Sequence, residues 1–129
     1  MRHVEMGLQG ALFRTRLPAA SAGRFQGPLV VSMRPFATSD IGRVRDITAR
    51  LPRSHGAPLH AGDPAGIGIP DPERPDWGTL LDVEPGETAL FWACGLTALA
   101  ALGEAELPFF ITHAPGAMLV TDLLEDASP

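Results

Sequence analysis

None of the 129 residues is lysine, none is tyrosine, and cysteine occurs once. Without lysine this chain offers no Schiff-base amine and no phosphate-loop lysine, which excludes ordinary pyridoxal-phosphate, lysine-aldolase and P-loop chemistry. Without tyrosine it has no phenolic acid or nucleophile. Cys94 alone cannot close an internal disulfide, which fits a reducing compartment, and a cytoplasmic setting is expected. No apolar run approaches the roughly 20 residues that a membrane-spanning helix needs, so no membrane partner is expected. Chemistry is left to His, Asp, Glu, Cys, Ser, Thr and Arg.

Charge is unevenly distributed. Residues 1–53 carry nine arginines against Glu5, Asp40 and Asp46, a net +6, whereas residues 54–129 carry Arg74 against twelve acids, a net −11. The total of −5, with no basic run interleaved with aromatics, argues against nucleic acid as a partner. The two segments pair with each other, or the arginines hold a small acidic ligand.

Thirteen prolines and fourteen glycines imply short elements joined by much irregular chain. The length suits one domain over 1–129, of mixed α/β (α+β) class, with a mixed sheet, few helices and long Gly/Pro-rich loops. Leu29–Met33 is a short, apolar, β-branched run that predicts a buried strand ended by Pro35. Ile41, Val44, Ile47 and Leu51 recur at spacings of three and four after the capping residues Thr38, Ser39 and Asp40, which predicts an amphipathic helix over about 40–51. Residues 54–78 form a long Gly/Pro-rich loop with two of the four histidines, and a loop of that length in a compact domain is usually functional or disordered. A strand is expected at about 88–93, a helix over Leu96–Ala105, and a hairpin of strands at 109–113 and 117–121. Trp77, Phe91, Trp92, Phe109 and Phe110 are assigned to the core.

Several blocks of the text resemble the D-glutamate cyclase family. They are Gly23-Arg24-Phe25-Gln26-Gly27-Pro28 running through Leu29-Val30-Val31-Ser32-Met33-Arg34-Pro35, then Ser54-His55-Gly56-Ala57-Pro58-Leu59-His60-Ala61-Gly62-Asp63-Pro64, and Ile67-Gly68-Ile69. Further along stand Arg74-Pro75-Asp76-Trp77-Gly78, Phe91-Trp92-Ala93-Cys94-Gly95, and Ile111-Thr112-His113-Ala114-Pro115-Gly116 with Thr121-Asp122-Leu123. The opening Arg2-His3-Val4-Glu5 and Phe13-Arg14-Thr15 resemble the family's middle segment, although the arginines of the first 25 residues also faintly echo a transit peptide. Family members are about twice as long, so the chain resembles a C-terminal half, and a homo-oligomer or a complex with the missing N-terminal half is expected. The chain departs from the family pattern at Arg16, at Thr97-Ala98-Leu99 and at Ala117, all motif-borne polar positions. The resemblance implies a hydro-lyase dehydrating D-glutamate to 5-oxo-D-proline or acting on a related small carboxylic acid. The alternative it leaves open is a catalytically incomplete half that binds a small acid or needs its partner.

Dehydrative ring closure requires a cation for the carboxylate, a base for the amine proton and an acid for the departing water. Arg34, just past the predicted buried strand, suits the first task, with Arg14 and Asp122 as further substrate contacts and Arg24 a weaker candidate. His55, His60 and His113 lie in Gly/Pro-rich turns and can act as acids or bases at neutral pH. Asp63 is expected to orient His60, and Asp122 to orient His113. The blander assignments are histidines bonded to loop carbonyls and Arg34 paired with Asp40. The His55, His60, Asp63 spacing has a metal-like look, yet neither an HExxH motif nor a cysteine pair accompanies it, so no metal and no cofactor is expected. Cys94, between a strand and a helix, is either a helix-activated thiol or an inert buried one. The expectation is that His55, His60, Asp63, His113 and Arg34 converge on one pocket.

Overall fold

The computed structural model describes residues 2–114, 117, 120 and 122. A short helix α1 (Arg2–Glu5) precedes strands β1 (Leu12–Pro18) and β2 (Pro28–Ala37), then helix α2 (Ile41–Ala49), strands β3 (His60–Ala61) and β4 (Glu87–Ala93), and helix α3 (Leu96–Glu104). The strands form one sheet in the order β1-β2-β4-β3, every strand pair antiparallel, which with its helices is an α+β fold. Among the described residues no helix is long and apolar enough to cross a membrane.

The central pair β2–β4 runs in register from Val31 opposite Ala93 to Ala37 opposite Glu87. Contrary to the expectation that Pro35 ends the strand, β2 continues through it. The Met33 amide points to the β1 side, where it bonds the Ala11 carbonyl. Pro35 has the same parity but lies beyond the start of β1, so its missing N–H withdraws no donor from the ladder. Strand β1 was not expected at all. A register shift between Arg14 and Pro18 interrupts it, and the Thr15 hydroxyl bridges the gap by accepting from the Leu17 amide and donating to the Leu29 carbonyl.

Alternation along β2 and β4 divides the core. Phe13, Val31, Met33, Ala89 and Phe91 face one side, where Ile67 and Ile69 cover them. The long 54–78 segment is therefore not structureless, since it supplies core residues, a short helical turn at Pro64–Ile67 and the strand β3. Leu12 and Val30 face the other side and pack against Leu96 and Ala100 of α3. The Thr97 hydroxyl accepts the Val30 amide at 3.0 Å and ties that helix to the sheet.

The expected strand at 109–113 does not form. The outer side of β1 is taken where Trp77 pairs with Leu12, and the other edge strand, β3, is only two residues long and offers little to pair with. Phe109 and Ile111 are consequently 76% and 84% exposed, and neither Phe109 nor the exposed Phe110 belongs to the core, unlike Phe91 and Trp92. The expected strand over 117–121 lies outside the described residues except for Ala117 and Val120.

Candidate functional site

A cavity of about 250 Å³ opens at the end of the sheet on the α3 side. Its size approaches the low end of the range for small-molecule pockets, roughly 300 Å³. Its ionisable lining consists of Arg34, His3, His55, His113 and Cys94, joined by Ser32 and by Gly95 and Leu96 at the start of α3. Among the described residues no carboxylate lines it. A second cavity of about 330 Å³ on the opposite face is mainly apolar, and its ionisable residues are Glu73 and Asp82. A small acid would meet repulsion there and attraction in the first cavity.

The sheet itself brings the first set together. Ser32 and Arg34 lie on the α3 face because Val30, two and four residues earlier, does. Arg34 is half-buried, and burial lowers its pKa from the ordinary guanidinium value while Cys94 acts in the opposite sense. A guanidinium nonetheless stays cationic in a protein. Its carbon lies 5.8 Å from the centre of the Trp92 ring, within cation–π range.

His55 is held in an unusual conformation, with φ +77°, which costs a residue bearing a Cβ on the order of 1 kcal/mol. Its Nδ1–H donates to the Ala93 carbonyl at 2.6 Å, leaving Nε2 with a free lone pair when the ring is neutral. The adjacent Gly56 carbonyl accepts the Trp92 indole N–H at 3.1 Å. His3, which the sequence did not single out, is buried on α1 with its ring against Gly10, where an added Cβ would lie 3.6 Å from its Cδ2. Burial first, and then the Arg34 charge, lower its pKa from 6.5. The only hint of His3 in the sequence was its place in the Arg2–Glu5 segment. Cys94 was flagged, and it reaches the cavity from the β4–α3 junction.

Of the five residues expected to share one pocket, Arg34, His55 and His113 line this cavity, and His60 and Asp63 do not. His60 pairs with Phe91, so it belongs to the face opposite Arg34, which pairs with Leu90. Its ring sits 5.8 Å from that of Phe91. His60 Nε2 bonds the main-chain carbonyl of Asp63 at 2.8 Å, not the carboxylate. The Asp63 carboxylate instead accepts the Ala65 amide and caps the Pro64–Ile67 turn. Arg14 lies 5.2 Å over the Trp77 ring, and its guanidinium approaches Asp76 at 3.9 Å, away from the cavity. Asp122 is exposed and does not line the cavity with His113. Arg24 is likewise exposed on the β1–β2 loop. Among the described residues no cluster of His, Cys, Asp and Glu could hold a metal ion.

Fold and cavity together define an α+β protein whose pocket presents a fixed cation, three imidazoles and a thiol. The model of the D-glutamate cyclase family matches residues 1–122, and the chain belongs to that family. A protein of Bordetella petrii named "Putative hydro-lyase" is 52% identical over 124 residues, covering 96% of this chain and 47% of its own length. Proteins of the same name from Methylobacterium radiotolerans and Pseudomonas aeruginosa are each 50% identical, over 129 and 126 residues, with 48% of their own length covered in each case. The chain thus spans about half the length of the curated relatives it matches.

Proposed function

We propose that this chain carries a hydro-lyase site for a small carboxylic acid, with ring closure of D-glutamate to 5-oxo-D-proline as the reaction. The observation that carries the reading is the cavity's lining: one permanent cation and three imidazoles, with no carboxylate among the described residues. Arg34 binds the α-carboxylate, aided by the start of α3, whose first amides carry partial positive charge. His55, its Nδ1–H committed to the Ala93 carbonyl, accepts protons from the substrate nitrogen at Nε2. His113 supplies protons to the departing oxygen. The amine nitrogen attacks the side-chain carboxyl carbon, a C–N bond forms, and the C–O bond to the leaving oxygen breaks. Two protons leave the ammonium group and two reach the departing oxygen as water, so the imidazoles relay protons with no net gain. No redox step is involved.

A second reading is supported by the half-length coverage of the relatives and by α2. That helix buries none of its residues, and Ile47 of its apolar stripe is 50% exposed. Such a stripe suits packing against the other half of the family's length, or against a second copy. In this reading the pocket binds the acid, and the partner half completes catalysis.

The test is chiral chromatography of 5-oxoproline formed from D-glutamate by the purified chain, with D-glutamate binding followed by calorimetry. Arg34→Met should weaken binding roughly 10- to 100-fold, the worth of a lost charge-assisted contact. His60→Gln should leave it unchanged. Binding without turnover, restored to turnover by adding the N-terminal half of a full-length relative, selects the second reading. Unchanged binding in Arg34→Met refutes both.

A further inference from the structure

Trp92 is 4% exposed and does not line the cavity, yet it touches the cavity residue Arg34 and bonds Gly56, the residue next to the cavity's His55. Its ring lies 5.8 Å below the Arg34 guanidinium carbon. Its indole N–H donates to the Gly56 carbonyl at 3.1 Å. The residue before Gly56 is His55, whose Nδ1 bonds the carbonyl of Ala93, the residue after Trp92. Two neighbouring residues of the loop and two neighbouring residues of β4 thus exchange reciprocal side-chain-to-main-chain bonds. Phe36 meets the indole edge-on at 5.9 Å and restricts the ring from the β2 side.

We propose that Trp92 is the positioning residue of the site, setting the tautomer and location of His55 through the Gly56 carbonyl and the orientation of Arg34 through its ring face. This deepens the functional reading above and rests on it for the consequences on turnover. The physical case is that His55 sits on a Gly/Pro-rich loop in a left-handed conformation that other contacts must impose. The amides of Ser54 and Gly56 close the turn locally on the Leu51 carbonyl, but the exposed imidazole-to-carbonyl bond by itself does little to fix the turn against the sheet. The buried indole, anchored in a central strand, provides a rigid second point. Carbonyl acceptance at Nδ1 then leaves one neutral tautomer, with Nε2 as the base.

The two functions of the ring separate by substitution. Trp92→Phe keeps an aromatic face under Arg34 and removes the N–H, and Trp92→Leu removes both. In the full chain, nitrogen-15 spectra of the imidazoles at a pH where they are neutral should show His55 as a single Nδ1–H tautomer. The Trp92 indole proton should exchange with solvent slowly. Trp92→Phe should give a mixed His55 tautomer, D-glutamate affinity within about threefold of wild type, and kcat reduced about 10-fold, part of the roughly 100-fold that a positioned base contributes. Trp92→Leu should additionally weaken binding about fivefold, the order of an exposed cation–π contact. A rapidly exchanging indole proton in the wild type, or a Trp92→Phe protein with the wild-type His55 tautomer, overturns the proposal. These spectroscopic readings need no turnover. A chain that shows the tautomer lock but neither binds nor cyclises D-glutamate would overturn the functional reading and leave the positioning role intact.

Discussion

Gly78 offers a sharp test of how the cavity wall is built. It follows Trp77, which pairs with Leu12, and precedes Thr79, whose amide bonds the Gln9 carbonyl at 2.9 Å. Gln9 and Gly10 line the cavity, and Gly10 abuts the His3 ring. At Gly78 φ is +78°, and an added Cβ would lie 2.2 Å from the Gly10 carbonyl oxygen and 3.0 Å from that of Gln9. Both obstacles are backbone and cannot swing aside. Gly78→Ala therefore combines about 1 kcal/mol for the left-handed conformation with about 1–3 kcal/mol for forcing two backbones apart. Gly86 is the control, because its φ is +88° and nothing lies within 4 Å of its added Cβ. Gly86→Ala should cost only the conformational part, about 1 kcal/mol. In urea denaturation the two variants should differ by about 1–3 kcal/mol, with Gly78→Ala the weaker. Because the Gln9–Gly10 wall moves with the clash, Gly78→Ala should also weaken D-glutamate binding while Gly86→Ala does not. Equal midpoints for the two variants would refute the close backbone crossing.

Two further outcomes follow from the site's neighbours. The folded-state pKa of His3 is lowered, so the unfolded chain takes up a proton first as pH falls. Its contribution to stability is complete above the unfolded value of about 6.5 and declines as the pH drops toward the folded value. His3→Gln should flatten that loss as the pH falls below about 6.5 in thermal melts, and an unchanged slope would refute the assignment. Asp63→Ala removes the cap on the Pro64–Ile67 turn and should cost about 1 kcal/mol in denaturant titration without altering ligand affinity, whereas a loss of affinity would return Asp63 to the site.

Local patterning made much of this protein legible. The β-branched run at Leu29–Met33 lies within β2, and the three- and four-residue spacing from Ile41 became α2, because a continuous apolar run and a helical spacing of apolar residues are local features of the chain. Cys94, Arg34, His55 and His113 could be named from residue type and turn context, and the family from its blocks of text. Strand β1 and the open fate of 109–113 were not legible in the same way, since they depend on which sheet edges remain vacant. Nor was it visible that His60 and Arg34 lie on opposite faces. That follows from the pairing of His60 with Phe91 and of Arg34 with Leu90, a long-range register that no local spacing contains. The sequence by itself determined the inventory of chemical groups, an arginine-and-imidazole set without lysine or tyrosine. Tertiary structure alone decided which of them share a cavity, because alternation on a pleated sheet sorts neighbours in sequence to opposite sides.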